Sequence, residues 1–199
     1  MSTPEPTKRV RALLLAAGRG SRFDPSGQRS KLLADFEGQP VAIRALRALR
    51  AAGLPVTAVV RERGELAERL ALAGAEVVIF PGAQAGMGAS LAHGVQCVRR
   101  ACAPDALVVA LGDMPSIRPE TIHALLAEVD DDHPIVAPEY GGRRGHPVVF
   151  WHSRLDALSG LDGDRGAAAL LRSDTPTLVE VDDAAILLDI DEPGDLPAG

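Results

Sequence analysis

The chain has 199 residues, of which 46% are apolar, 24% charged and 3% aromatic, a size and make-up that suit one large soluble domain or two small ones with a real core. Such a chain needs no disulfide framework, and Cys97 and Cys102, which lack zinc-type spacing, read as buried small hydrophobes in a reducing cytoplasm. A net charge of -6 excludes a broad phosphate-neutralising surface for nucleic acid.

That charge is unevenly spread. Residues 1–31 carry seven Lys or Arg against two acidic residues, whereas residues 173–199 carry eight acidic residues and no Lys or Arg. Acidic ends commonly serve solubility; alternatively, the basic end meets phosphates while part of the acidic end holds a divalent cation.

Residues 1–8, with Pro4 and Pro6, read as a disordered lead-in, and residues 9–199 as a single domain. No secretory pattern or apolar run near the ~20 residues of a membrane span follows, so a cytoplasmic protein without membrane partners is expected. The runs at 9–15, 56–60, 76–80 and 106–111 are short and apolar, which predicts strands. Helices are predicted over 41–52, with Arg44, Arg47 and Arg50 on its wet face, and over 64–73, 88–102 and 119–129, the last opened by Pro119. Alternating strands and helices predict an α/β fold, a mostly parallel sheet with helices on both faces and ligands at the strands' carboxyl ends.

After about residue 130 the pattern changes. Strands at 135–138 and 147–151 flank a Gly141-Gly142 turn, then come a helix near 166–172 and strands at 177–181 and 185–188. The segment of about 130–175 reads as a substrate-facing insertion.

The first strand ends in Leu15-Ala16-Ala17-Gly18-Arg19-Gly20-Ser21-Arg22-Phe23, whose small residues let backbone N–H groups approach an anion; tight packing is the alternative reason for such a turn. An NAD(P)-dependent oxidoreductase would use the same glycine-rich first turn, but its dinucleotide fingerprint requires glycine where Phe23 stands, and Lys31 lacks the flanking residues of a P-loop. The third strand leads into Phe80-Pro81-Gly82-Ala83-Gln84-Ala85-Gly86-Met87-Gly88-Ala89-Ser90, a loop that opens a helix and suits contact with a base and sugar through backbone groups, but Ser90 lies too far beyond the strand for a nucleophile elbow. Asp113 ends the fourth strand, too far ahead of Pro119 to cap the next helix, and is placed to bind Mg2+. Asp189-Ile190-Asp191 is read as late strand with its two carboxylates on opposite faces, so that one at most reaches a cation. His146 lies in a loop, Asp164 caps a helix or borders a ligand, and no histidine grouping suggests zinc.

Taken in order, Leu15 to Phe23 with Lys31-Leu32-Leu33, Gly86 to Leu91, Gly112-Asp113-Met114-Pro115, Gly145-His146-Pro147, Gly163-Asp164-Arg165-Gly166 and Asp189-Ile190-Asp191 resemble the nucleotidyltransferase family that attaches a nucleoside monophosphate to the molybdenum cofactor, most closely its cytidylyltransferase branch. The resemblance implies a Rossmann-like, nucleotide-diphospho-sugar-transferase architecture. It implies that Leu15, Ala16, Ala17, Gly18, Gly20, Ser21, Arg22 and Lys31 hold the triphosphate, with Gly86, Met87, Gly88 and Ser90 near the nucleotide. Asp113 and Asp191 would bind Mg2+, and Lys31, Arg22 and Asp113 would carry the chemistry. Ala17 leans towards CTP over GTP, while His146, Pro147, Asp164 and Arg165 would border a pterin phosphate. A molybdoenzyme would receive the product. In this chain residues 24–30 lengthen the connection from Arg22 to Lys31, and Glu192 stands where the family usually has threonine.

Overall fold

Val10–Ala16 forms β1, in which Ala12, Leu13 and Leu14 are fully buried, as expected of a strand covered on both faces. In the computed structural model, which describes residues 8–18, 20–82, 86–163, 166–168 and 170–197, two two-residue strands, β2 (Asp35–Phe36) and β3 (Gln39–Pro40), pair with each other after β1. Then follow α1 (Val41–Ala51), β4 (Val56–Val60), α2 (Glu65–Leu72), β5 (Glu76–Ile79), α3 (Gly86–Ala101), β6 (Ala106–Leu111) and α4 (Pro119–Glu128). The later elements are β7 (Ile135–Tyr140), β8 (Arg143–Arg144), β9 (Val148–Trp151), α5 (Leu155–Ser159), α6 (Leu170–Ser173) and β10 (Thr177–Glu180).

The main sheet has the order β10-β7-β9-β6-β1-β4-β5, with β8 attached to β7. β1 pairs in parallel with β4 and β6, β4 with β5 and β7 with β10; β9 runs antiparallel between β6 and β7. Segment 130–151 thus extends the sheet, through a hairpin whose Gly141 and Gly142 take φ of +57° and +73°, the left-handed pair a tight primed turn requires.

One core layer packs Leu46 and Leu49 of α1, Leu70 of α2 and Ile122 and Leu125 of α4 on one sheet face. On the other lie Leu91, Val95 and Val98 of α3 and Leu155 and Leu158 of α5. Arg47 and Arg50 of α1 are exposed and Arg44 half-buried, as the spacing of three predicts. Among the described residues, no helix is long and apolar enough to cross a membrane.

Several sequence expectations are corrected. Residues 185–188 do not form a strand: Ala184–Leu187 is a 3-10 helix, because the Asp183 side chain accepts the Ala185 N–H and turns the chain. The helix near 166–172 is divided between the 3-10 turn Gly166–Ala168 and α6. Cys97, within α3, and Cys102, just after it, are half-buried rather than fully buried, and Cys102 packs against the core on the α3 side. Of the lead-in, only Lys8 lies among the described residues; its Nζ donates to the carbonyls of Leu126 and Val129 and stands 5.6 Å from the centre of the Trp151 ring, so it is anchored.

Candidate active site

β1 and β6 lie side by side in register Leu15↔Leu111, so their carboxyl ends deliver two loops to one place. The Gly112 N–H donates to the Leu15 carbonyl at 2.9 Å, and a Cβ on Gly112 would come within 3.0 Å of that oxygen. This close approach sets Asp113 beside the glycine-rich first turn. Together they line a cavity of about 590 Å³, a volume suited to a small ligand.

Lys31 reaches this cavity despite the long connection. Asp24, itself buried, accepts the Ser26 N–H and Oγ–H at 3.1 and 2.7 Å and the Arg29 N–H at 2.7 Å, folding residues 24–29 into a closed loop. These bonds, the Ser26 hydroxyl foremost, hold the Asp24 carboxyl below its usual range. The Lys31 stem then crosses Gly20, whose φ of +62° makes the turn and whose missing Cβ would lie 3.3 Å from Lys31 Cγ. The Arg29 guanidinium is not part of the cavity lining and stands 5.9 Å from the Phe23 ring centre.

The buried Lys31 ammonium donates to Asp113 Oδ2 at 2.7 Å and Asp191 Oδ1 at 2.8 Å, and the largely exposed Arg22 Nη1 lies 2.7 Å from Asp191 Oδ2. Burial works against the ammonium, but the two carboxylates outweigh it and raise its pKa above the usual lysine value. Asp191 is lowered, chiefly by the Lys31 hydrogen bond, whereas Asp189 is raised by burial and by its neighbours Asp191 and Asp113.

Asp113, Asp189 and Asp191 each contribute an oxygen, all within 4.8 Å of one another. This overturns the expectation that the two late aspartates face opposite ways. In an extended chain residues two apart share a face. Ile190 turns into a small core with Phe23 and Val41 and donates its N–H to the Asp113 carbonyl at 2.9 Å, leaving both flanking carboxylates towards Asp113.

Among the nucleotide-site candidates, Leu15, Ala17, Gly18, Gly20, Ser21, Arg22, Lys31, Gly86, Met87 and Ser90 line the cavity, with Asp113 and Asp191. Ala16 is buried under the adjoining sheet face, and Gly88 is used in packing: its N–H donates to the Gly163 carbonyl at 2.8 Å, and a Cβ there would strike that oxygen. Ser90 Oγ donates to the Met87 carbonyl, so its hydroxyl is engaged within its own helix. His146 and Pro147 are outside the cavity lining. His146 lies near enough to feel the charges of Asp113 and Arg144, but burial dominates and lowers its pKa, and its Nδ1 has no partner. Asp164, Arg165 and Arg19 lie outside the described residues. Phe80 and Gly82, at the head of the stretch that runs to Ser90, also line the cavity, and Asp189 joins Asp191 there where the sequence allows only one of the two; the two-residue spacing around Ile190 was the available signal for their shared face.

Residues 12–179 match the family described as MobA-like NTP transferase domain. A 2-C-methyl-D-erythritol 4-phosphate cytidylyltransferase from Frankia casuarinae is 34% identical over 138 residues, 68% of this chain and 49% of that protein, so the chain spans about half the length of this curated relative. A nucleotidyl transferase from Methanothermobacter thermautotroptrophicus is structurally similar with a TM-score of 0.78 at 27% identity, covering 96% of this chain and 94% of the other. Rv0371c from Mycobacterium tuberculosis H37Rv gives 0.78 at 26% identity over 96% of both chains. Its complex with manganese gives 0.72 at 26% identity over 94% of this chain and 95% of the other. The match of sequence takes in nearly the whole sheet, and these neighbours share its Rossmann-type, mostly parallel architecture. The chain belongs to the MobA-like NTP transferase domain family, a family of nucleotidyltransferase enzymes.

Proposed function

We propose that the protein transfers CMP from CTP to the terminal phosphate of the molybdenum cofactor, giving molybdopterin cytosine dinucleotide and pyrophosphate, in the cytoplasm and for delivery to a molybdoenzyme. The observation that carries the nucleotidyl-transfer part is the cavity itself, where a glycine-rich turn, two basic side chains and three carboxylates meet at the ends of β1 and β6. The Frankia relative's name supports CTP as donor. The motifs around His146 and Asp164 support the pterin acceptor, with the segment of about 130–175 as the acceptor-facing part.

The carboxylate cluster fits Mg2+. Asp113 Oδ1 is buried without a hydrogen-bond partner, an oxygen suited to a hard dication, and Asp191 and Asp189 offer further oxygens within reach of the same ion. The manganese complex of Rv0371c supports a divalent site in this fold. When bound, the cation would draw charge from the α-phosphate oxygens. The protein's own part is alignment: backbone groups of residues 15–18, 20 and 21 cradle the triphosphate, and Lys31 and Arg22 neutralise the departing pyrophosphate. An oxygen of the acceptor phosphate forms the new bond to the α-phosphorus as the bond to the β-phosphate oxygen breaks. No protein nucleophile is needed.

A second acceptor, 2-C-methyl-D-erythritol 4-phosphate, is favoured by the name of the Frankia relative. Purified protein with CTP and Mg2+ is expected to release pyrophosphate when given molybdenum cofactor, and Asp113→Ala to abolish that release. Release with the erythritol phosphate alone would move the assignment to the second acceptor; release with neither, or full activity of the Asp113 variant, would reject the reading.

A further inference from the structure

We propose that the Lys31 ammonium is the resident counter-ion of the carboxylate cluster and is exchanged for a divalent cation as the nucleotide binds, so that metal and nucleotide load together. The inference rests on the cation reading above and adds to it a rule for how the site fills.

Between them Asp113 and Asp191 have four carboxylate oxygens. Lys31 takes one from each, at 2.7 and 2.8 Å, Arg22 takes a third at 2.7 Å, and the fourth is the unpartnered Asp113 Oδ1. An ammonium seated between two carboxylates stands where a hard cation would collect the same oxygens, and the two positive charges repel. The choice of residue agrees with this role. The chain has 19 arginines and only two lysines, Lys8 and Lys31. A compact point charge can sit between two carboxylates as a metal ion does, whereas a planar guanidinium presents a fork.

A dication arriving alone must displace the Lys31 ammonium, whose side chain is only 10% exposed, leaving a buried charge without a partner; that is costly. With a triphosphate present, the cost is removed. The Lys31 stem already lies across Gly20 of the phosphate loop, so rotation about its terminal bonds carries the ammonium from carboxylates to phosphate. Arg22, with a side chain 73% exposed, can follow. The coupling is reciprocal: whatever the nucleotide does to metal affinity, the metal does to nucleotide affinity.

The test titrates Mn2+ into the 199-residue, nucleotide-free protein, reading free Mn2+ by its electron paramagnetic resonance signal. Lys31→Met is expected to bind Mn2+ about 5- to 150-fold more tightly than the unaltered protein, the usual span of such couplings. Equal or weaker binding by the variant would overturn the exchange while leaving the cation site standing. No binding by either protein, even with CTP, would overturn both readings. Should the variant not fold, the unaltered protein still decides. With two lysines in the chain, 15N-lysine spectra resolve the Lys31 Nζ, which is expected to shift with CTP and Mg2+ together and to stay in place with Mg2+ alone. A Lys31 signal that stays in place while CTP binds would refute the exchange.

Discussion

His146 donates its backbone N–H to Ile186 at 3.0 Å, while its ring nitrogen Nδ1 is buried with no partner. Burial pushes its pKa below the ordinary 6.5, the nearby Asp113 carboxylate opposing and Arg144 adding to that shift. Below pH 6.5 the unfolded chain takes up a proton that the folded one refuses, so stability should fall as the pH drops through 6.5 towards the folded value. His146→Gln, which cannot titrate, is expected to lose less melting temperature between pH 7 and pH 5 than the unaltered protein; equal losses would show that this ring does not set the acid limb. At this scale the residue types in the site were readable, since Asp113 and Lys31 were named from their motifs. Their contact was not, because 82 residues separate them and no motif marks the Asp24 hydrogen bonds that fold residues 24–29 and bring Lys31 round.

α3 shows how closely an element must approach the sheet. Gly94 faces β1 and β4, and a Cβ there would lie 2.6 Å from Val59 Cγ2 and 2.8 Å from Leu13 Cδ1, two fully buried side chains with little room to move. Overpacking of this kind costs ~1–3 kcal/mol, more than the up to ~1 kcal/mol that alanine gains over glycine in a helix. Gly94→Ala should therefore lower the unfolding free energy by up to about 2 kcal/mol net, read as a lower urea midpoint at unchanged slope; an unchanged or raised midpoint would mean that the layers can separate freely. Elements with strong local pattern were legible. The runs at 56–60 and 106–111 are strands end to end because burial on both faces makes them continuously apolar, and Pro119 opens α4. Residues 185–188 were misread since a short apolar run has no period that separates strand from turn. Asp183 decided it: fully buried, it accepts from Arg118 N–H at 3.0 Å and Thr121 Oγ1 at 2.7 Å as well as from Ala185, tying the tail to the start of α4.

Across the molecule, β1 has β4 on one side and β6 on the other, so the chain leaves it in one direction and later returns to its opposite edge. The loops after β1 and β6 diverge there and open the crevice in which α/β sheets bind ligands. The basic amino-terminal region and acidic carboxyl-terminal region meet across it through Lys31, Arg22 and Asp191. Ligand binding at this junction should stabilise the whole fold. At a hundredfold excess over its dissociation constant, CTP with Mg2+ would add about 2.7 kcal/mol, a rise of roughly 5–11 °C in melting temperature for a chain of this size. Stabilisation by NADPH in place of CTP would instead favour a redox role.

Alternation of apolar runs and helical periods was enough to predict a mostly parallel, two-faced α/β sheet, since those patterns report burial within a few neighbouring residues. The order of strands, the entry of β9 between β6 and β7, and the joining of Asp113, Asp189 and Asp191 came from packing alone. Each depends on which distant surfaces fit together, and no local spacing encodes that; Ile190, by entering the core beside Phe23, is what turns two aspartates at the end of the chain towards a third at its middle.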